Sequence, residues 1–256
     1  MVGAPGRADG ESPAATGGIM YSFDSRVRYS EVDNEGKLTL TSILDYFQDC
    51  SSFQSEDLHV GLDFLKEKQV VWVLISWQIE VMRYPVMGEQ IRVSTWPHKF
   101  SGFYGYRNFQ MVAADGECLA RANSLWALLD VGSGRPVKLL PEMVEAYQLE
   151  PPFPMEDCPR KMKLPEQLQG REPFAVHKFH LDTNQHVNNG KYILMAQEYL
   201  PAGFSVGKLR AEYKKSAVYG DTIFPYETFE GNRVVVALCD EQKRPYVIIE
   251  LEKKND

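Results

Sequence analysis

The sequence has few of the features that would assign it to several large classes of protein. Its cysteines are scattered without motif spacing, at Cys50, Cys118, Cys158 and Cys239. That scatter favours a reduced, cytoplasmic compartment over a disulfide-bonded or zinc-binding protein. The chain has no apolar run of bilayer-spanning length, no Gly-rich phosphate loop and no block of Lys and Arg, and its net charge is −7. We therefore expect no cofactor, metal, membrane or nucleic-acid partner.

The composition is that of an ordinary soluble globular protein, with 44% hydrophobic and 25% charged residues. A chain of 256 residues suits one large domain or two smaller fused ones. Residues 1–19 are rich in Gly, Ala, Pro and Ser and lack the apolar core of a signal peptide. We predict that they form a disordered leader.

Two segments have the apolar spacing of a helix, and each precedes a series of strand-like runs. The first helix is predicted over 38–54 and the second over 189–200. Apolar residues surround nearly the whole circumference of the second, so it should be buried. Runs rich in β-branched and aromatic residues, separated by Gly, Pro, Asn and Asp, predict the strands. They cover 70–82, 90–97, 104–113, 118–130, 208–215, 222–230, 233–240 and 245–252.

The two halves of the chain also resemble each other in sequence. Residues 80–89 match 212–221 at an offset of 132, and residues 31–34 resemble 182–185 at an offset of 151. Two matches in the same order, each beside a predicted helix, indicate an internal duplication. The difference in offset gives the first half 19 more residues between helix and sheet, which fits the extra segment 56–68.

Three polar residues stand at alternate positions just before the second helix. These are Asp182, Asn184 and His186. In extended backbone, residues two apart face the same side, so an acid, an amide and an imidazole would meet in one site. Such a set can activate water and stabilise an oxyanion. Two alternatives remain: an ordinary turn with a helix cap at Asn188 or Asn189, and a metal site that adds His177 and His180.

The order Asp-x-Asn-x-His-x-x-Asn-x-x-Tyr, from Asp182 to Tyr192, resembles the catalytic loop of the acyl-acyl-carrier-protein (acyl-ACP) thioesterases. The resemblance implies an α+β tandem (double) hot-dog fold, in which each unit is a long helix wrapped by an antiparallel sheet. We expect an N-terminal hot-dog domain at 20–140, a linker at 141–171 and a C-terminal hot-dog domain at 172–256. The C-terminal domain would carry the catalytic loop.

The implied activity is hydrolysis of fatty acyl-ACP to free fatty acid and ACP in fatty acid biosynthesis. By resemblance, Asp182 is the base or orienter of water, and Asn184 and His186 bind and polarise the carbonyl and the water. Substrate contacts are expected from Asn188, Asn189, Ser216, Trp72 and Trp77, with Ile43, Phe47 and Leu74 as further candidates for the wall of an acyl tunnel. Ser216 and Ala217 stand where plant-type relatives usually have an acid and a cysteine, which removes a Cys/His mechanism based on that cysteine.

The expected partner is the acidic acyl carrier protein with its phosphopantetheine-linked acyl chain. A local basic patch would have to bind it, because the chain itself is acidic. The candidates are Lys191, Lys208, Arg210, Lys214 and Lys215. Two other functions stay open: an acyl-CoA thioesterase on the same fold, and a non-catalytic acyl-binding protein. The oligomeric state, monomer or homodimer, is left open as well.

Overall fold

The computed structural model describes residues 20–156 and 158–254. The leader predicted at 1–19 lies outside these residues. The helices are α1 (Leu40–Asp57), α2 (Leu62–Glu67), α3 (Pro141–Ala146) and α4 (Asn189–Gln197). The strands of the first half are β1 (Tyr21–Arg26), β2 (Val70–Val81), β3 (Gln90–Ser101), β4 (Tyr104–Ala113) and β5 (Cys118–Asp130). Those that follow are β6 (Gln169–Gly170), β7 (Phe174–Ala175), β8 (Val206–Tyr213), β9 (Thr222–Glu230), β10 (Arg233–Cys239) and β11 (Pro245–Lys253).

All the strands belong to one antiparallel sheet that runs through both halves. Its order is β1-β3-β4-β5-β2-β8-β11-β10-β9-β6, and β7 also pairs with β9. The order in the second half mirrors that in the first, with β2 and β8 paired at the centre from Ser76↔Glu212 to Glu80↔Lys208. Two copies of one helix-and-sheet unit therefore lie side by side, and the predicted α+β tandem hot-dog is confirmed.

Each half places its long helix against the sheet. Helix α1 begins after Thr39, whose hydroxyl oxygen accepts the Ser42 N–H at 3.1 Å. Its buried side chains enter a common core with those of α4, and the two helices contact each other. Helix α4 ends three residues before the predicted boundary, and Leu194 on its outer side is 45% exposed. The prediction that α4 is buried on nearly every side is therefore wrong for that face.

The duplication is confirmed in backbone geometry, with one change of register. After β2, Gly88 has φ 83° and Val86 N–H bonds Glu89; after β8, Gly220 has φ 87° and Val218 N–H bonds Asp221. The two turns are therefore equivalent at the predicted offset of 132.

The second sequence match, of residues 31–34 with 182–185, is wrong by two residues. The turns before the helices superpose Asp33 on Asp182, so the offset is 182 − 33 = 149 and the first half has 149 − 132 = 17 extra residues. The sequence match aligned Glu31 with Asp182 because both are acidic. The residue that forms the turn is Asp33, whose side chain accepts hydrogen bonds from nearby backbone N–H groups.

The strand predictions hold closely, and 104–113, 118–130 and 222–230 have the bounds of β4, β5 and β9. The sequence reasoning missed β1, β6 and β7, as well as the short helices α2 and α3. No helix among the described residues is long and apolar enough to cross a membrane.

Candidate active site

The loop before α4 is a closed turn held by the side chain of Asp182. Its Oδ1 accepts the N–H of Asn184 at 2.8 Å and the N–H of His186 at 3.2 Å. The Asp182 N–H also donates to the His186 carbonyl at 2.7 Å, and Gln185 has φ 62°. The backbone is thus folded back on itself, and the expectation of an extended segment with alternating faces is wrong. An aspartate side chain can accept hydrogen bonds from nearby backbone N–H groups that would otherwise pair with a neighbouring strand, and this favours the turn.

The same turn leaves half of the Asp182 carboxylate free. Both backbone bonds use Oδ1, and Oδ2 accepts no hydrogen bond from the residues that the structure describes. The loop therefore holds the carboxylate through Oδ1, and Oδ2 remains available to another donor. That arrangement suits a group that binds a water molecule and accepts its proton.

The first half contains an equivalent turn without the same chemistry. Asp33 Oδ1 accepts the N–H groups of Glu35 at 2.9 Å and Lys37 at 3.0 Å. Where the second half has Asn184 and His186, the first half has Glu35 and Lys37, which form an ion pair at 2.7 Å. The turn is a property of the repeated fold, and the amide and imidazole are present in the second copy only.

The amino end of α4 is tied down on both sides. Asn188 is its N-cap, since its Oδ1 accepts the Gly190 N–H at 2.8 Å. The Tyr213 hydroxyl donates to the Asn189 carbonyl at 3.0 Å, and the Tyr192 hydroxyl accepts the Ala217 N–H at 2.8 Å. The cap proposed as an alternative for Asn188 is therefore present. A fixed helix start next to the loop presents N–H groups and the positive end of a dipole to it.

A carboxyl group from the first half also approaches this helix start. An Asp45 side-chain oxygen lies 3.5 Å from the point where a Gly190 side chain would begin. Burial against the protein raises the pKa of Asp45, Asp49 raises it further and Lys191 opposes the rise. The sequence analysis did not select Asp45. The one feature that could have indicated it is that Asp45 interrupts the helical spacing of the apolar residues in α1.

Asn184 lies at the edge of a cavity of about 210 Å³ that is otherwise lined by the first half. Trp72, Phe100, Trp126 and Tyr147 supply its aromatic walls. Trp77 is instead 2% exposed in the core, with its ring centroid 5.1 Å from that of Phe109. The structure thus brings Asn184 and Trp72 together and places Trp77 behind the wall. Ile43, Phe47 and Leu74 are also core residues.

Ser216 lies outside this cavity. It is exposed and lines a surface cleft with Lys215, Asp240 and other residues of the second half. Its neighbour Ala217 is fully buried, and the Ala217 carbonyl accepts the Val187 N–H at 2.9 Å. The segment therefore supports the loop through its backbone.

The two buried cysteines, Cys50 and Cys239, have the properties of structural thiols. Burial raises the pKa of Cys50 to about 12 and that of Cys239 to about 11. A thiol reacts as its thiolate, so these two are poor nucleophiles. The described residues also contain no group of three or more His, Cys, Asp or Glu that could hold a metal ion. The alternative metal site at His177, His180, Asp182 and His186 is thus not formed.

The link between Tyr192 and Ala217 gives a testable effect on stability. Among the residues described, Tyr192 Oη is the one acceptor for the buried Ala217 N–H, so Tyr192→Phe should lower the free energy of unfolding by about 1–3 kcal/mol. Urea denaturation would measure it. Tyr226→Phe is the matched control, because the Tyr226 hydroxyl has no hydrogen-bond partner in the described part of the chain. Equal midpoints for the two variants would contradict the assigned role of Tyr192.

The fold is a tandem (double) hot-dog in which the loop that carries Asn184 lies beside an aromatic cavity of the other unit. The family model described as "Acyl-ACP thioesterase N-terminal domain" matches residues 18–147, and the one described as "Acyl-ACP thioesterase C-terminal domain" matches residues 164–241. The chain belongs to the acyl-ACP thioesterase family.

Curated relatives include plant enzymes. The chain is 28% identical over 198 residues to a chloroplastic palmitoyl-acyl carrier protein thioesterase of Cuphea hookeriana, covering 72% of this chain and 48% of the relative. It is 28% identical over 219 residues to the enzyme with the same name from Gossypium hirsutum, covering 77% and 52%. The chain thus spans about half the length of the curated relatives it matches.

Solved structures share the whole fold. An acyl-ACP thioesterase from Bacteroides thetaiotaomicron superposes with a TM-score of 0.84 at 21% identity, covering 92% of this chain and 98% of that one. The 12:0-ACP thioesterase from Umbellularia californica gives 0.82 at 19% identity, covering 94% and 100%. At these identities the likeness establishes the double hot-dog fold.

Proposed function

We propose that this protein hydrolyses the thioester of fatty acyl-ACP and releases a free fatty acid and the carrier protein. The observation that carries the proposal is the position of Asn184, which extends from the catalytic-type loop of the second half to an aromatic cavity of the first half. An acyl chain in that cavity would have its thioester beside the loop. Membership of the acyl-ACP thioesterase family supports the choice of substrate.

In the proposed reaction, Asp182 Oδ2 accepts a proton from water as the water oxygen bonds to the thioester carbon. The carbonyl oxygen becomes negative and receives hydrogen bonds from the Asn184 amide, His186 and the start of α4. The carbon–sulfur bond then breaks, and the thiolate takes up the proton. The products are a fatty acid and the free thiol of the carrier, without a covalent enzyme intermediate.

Most of the basic residues that the sequence offered for carrier binding are neutralised within the chain. Their ion pairs are Lys208–Glu156 at 3.4 Å, Arg210–Glu250 at 3.3 Å, Lys214–Glu212 at 2.5 Å and Lys215–Asp240. Lys191 forms no ion pair with the described residues and lies in the first turn of α4. We assign the carrier contact beside the site to Lys191. We also propose a cytoplasmic location, which the four free thiols support.

The deciding assay compares acyl-ACP and acyl-CoA of the same chain length on the purified protein. We expect a higher kcat/KM on acyl-ACP and a weaker preference for it after Lys191→Gln. Equal or better turnover of acyl-CoA would favour the second thioesterase function. Saturable binding with no turnover of either thioester would favour a non-catalytic acyl-binding protein.

A further inference from the structure

The two arms of the candidate catalytic loop meet at His180 and Asn188. The His180 carbonyl accepts the Asn188 N–H at 2.9 Å. One step further along the loop, Leu181 and Val187 form an antiparallel bridge. Together with the pair 182–186, these contacts join the arms at three successive positions. A residue that fixes His180 therefore also fixes the base of the loop.

The side chain of His180 caps the short 3₁₀ turn, Lys178–His180, that leads into the loop. Its Nδ1 accepts the His177 N–H at 3.0 Å. A neutral imidazole has one nitrogen that accepts and one that donates, so this bond requires the ring proton to be on Nε2. Protonation adds an N–H at Nδ1, and two donors then face each other. The cap therefore exists only while His180 is neutral.

The first half builds the same base with different chemistry. The Glu31 carbonyl accepts the Thr39 N–H at 2.9 Å, and a Glu31 carboxylate oxygen accepts the Arg28 N–H at 2.8 Å. The two side chains also form an ion pair at 3.1 Å. At the offset of 149 residues, Arg28 and Glu31 correspond to His177 and His180. The copy with the polar loop thus has two imidazoles where the other copy has groups that stay charged near neutral pH.

The charges that act on His180 are positive. The ring centroid of His177 lies 5.8 Å from that of His180, and Lys191 acts on it from α4. Lys178 of the same turn lies over the Tyr219 ring, at 5.7 Å. Among the described residues, no carboxylate forms an ion pair with either imidazole. Partial burial lowers the pKa of His180, and the charges of His177 and Lys191 lower it further.

We propose that His180 is a positioning residue whose neutral imidazole keeps the base of the candidate catalytic loop closed, and that its protonation opens the base and lowers turnover. This inference rests on the proposed function and adds its regulation by pH. Because the pKa of His180 is lowered on folding, the cap contributes fully above the ordinary histidine value of about 6.5. It is lost as the pH falls through the lower value of the folded protein. The loop is closed at neutral pH and opens in acid.

The test is the pH dependence of kcat on acyl-ACP, with each protein normalised to its own value at neutral pH. In His180→Gln the amide oxygen can accept the His177 N–H and does not titrate, so the cap should persist in acid. We expect the normalised kcat of the wild type to fall below that of the variant under about pH 6.5, by up to about tenfold per pH unit. Transfer of the ion pair from the first half, as His177→Arg with His180→Glu, should give the same difference.

The first half supplies the matched control. Glu31→His places a titratable cap at the equivalent turn and should keep the wild-type profile of normalised kcat. Protonation of Asp182 and His186 is common to all these proteins and cancels in the comparison. Identical profiles for wild type, His180→Gln and the transferred ion pair would overturn the role assigned to His180 and leave the thioesterase proposal intact. An equally altered profile in Glu31→His would also overturn it, because the effect would then be general destabilisation.

The base of the loop can also be followed without turnover. Absence of activity at every pH would overturn the proposed function, and hydrogen exchange of the Asn188 amide would still test the cap, since that N–H bonds the His180 carbonyl. After correction for the intrinsic exchange rate, its protection should decrease in acid in the wild type and persist in His180→Gln. The same dependence of protection on pH in both proteins would refute the role of His180.

Discussion

Asp182→Asn is expected to lower kcat on acyl-ACP by about 10²–10⁴ while the protein stays folded. The amide oxygen of asparagine can still accept the N–H groups of Asn184 and His186, so the turn persists. An amide cannot accept the proton of an attacking water, so the loss falls on the chemical step. Steady-state kinetics with a parallel thermal melt would separate the two effects.

The chain provides its own control for this substitution. Asp33 holds an equivalent turn in the first half with the same two kinds of backbone bond. Asp33→Asn should therefore change the melting temperature about as much as Asp182→Asn and leave kcat near that of the unmodified protein. Similar kcat for both variants would show that Asp182 is only a turn residue. An inactive cysteine-free variant beside an active Asp182→Asn would point instead to a thiol mechanism.

Asn184→Ala is expected to reduce kcat by about 10²–10³ if the amide donates to the oxyanion. The side chain of Asn184 has no hydrogen bond to the described residues, and the turn uses only its backbone N–H. Truncation should therefore leave the loop in place and remove a donor at the rim of the cavity. His186→Ala should also be severe, because the imidazole follows on the same loop. The measurement is kcat and KM on the chain length that wild type prefers.

Glu35→Ala is the matched control for Asn184→Ala, since Glu35 occupies the equivalent position in the first turn. Glu35 forms an exposed ion pair with Lys37, and the loss of such a pair costs little. We expect its kinetics to match wild type. If Asn184→Ala raised KM and left kcat unchanged, the amide would bind the acyl chain without stabilising the oxyanion.

The periodicity of the sequence was enough to predict most elements of the fold. Eight strands and two helices follow from alternation, apolar stripes and turn residues, and these signals depend on near neighbours in the chain. β1 was missed although its six residues alternate between more and less buried side chains. The other missed elements are short: α2 and α3 have six residues each, and β6 and β7 have two. Segments of that length contain too few turns or alternations to produce a period.

The sequence also carried the family resemblance through the residues between Asp182 and Tyr192, which the matching family models confirm. It misjudged the local geometry of those residues, because an aspartate can bond its own backbone and close a turn where alternation suggested a strand. It also aligned Asp182 with Glu31, two residues before the true equivalent Asp33, because the match compared charges and not turns.

The sequence by itself determined the duplicated helix-and-sheet units and the polar residues that stand before the second helix. Only the tertiary structure decided that Asn184 meets a cavity built from Trp72, Gly105 and Tyr147, and that Asp45 approaches the start of α4. It also decided that Trp77 belongs to the core. The physical reason is that these contacts join residues far apart in the chain. The pairing of β2 with β8 sets their distances, and local propensity carries no information about that pairing.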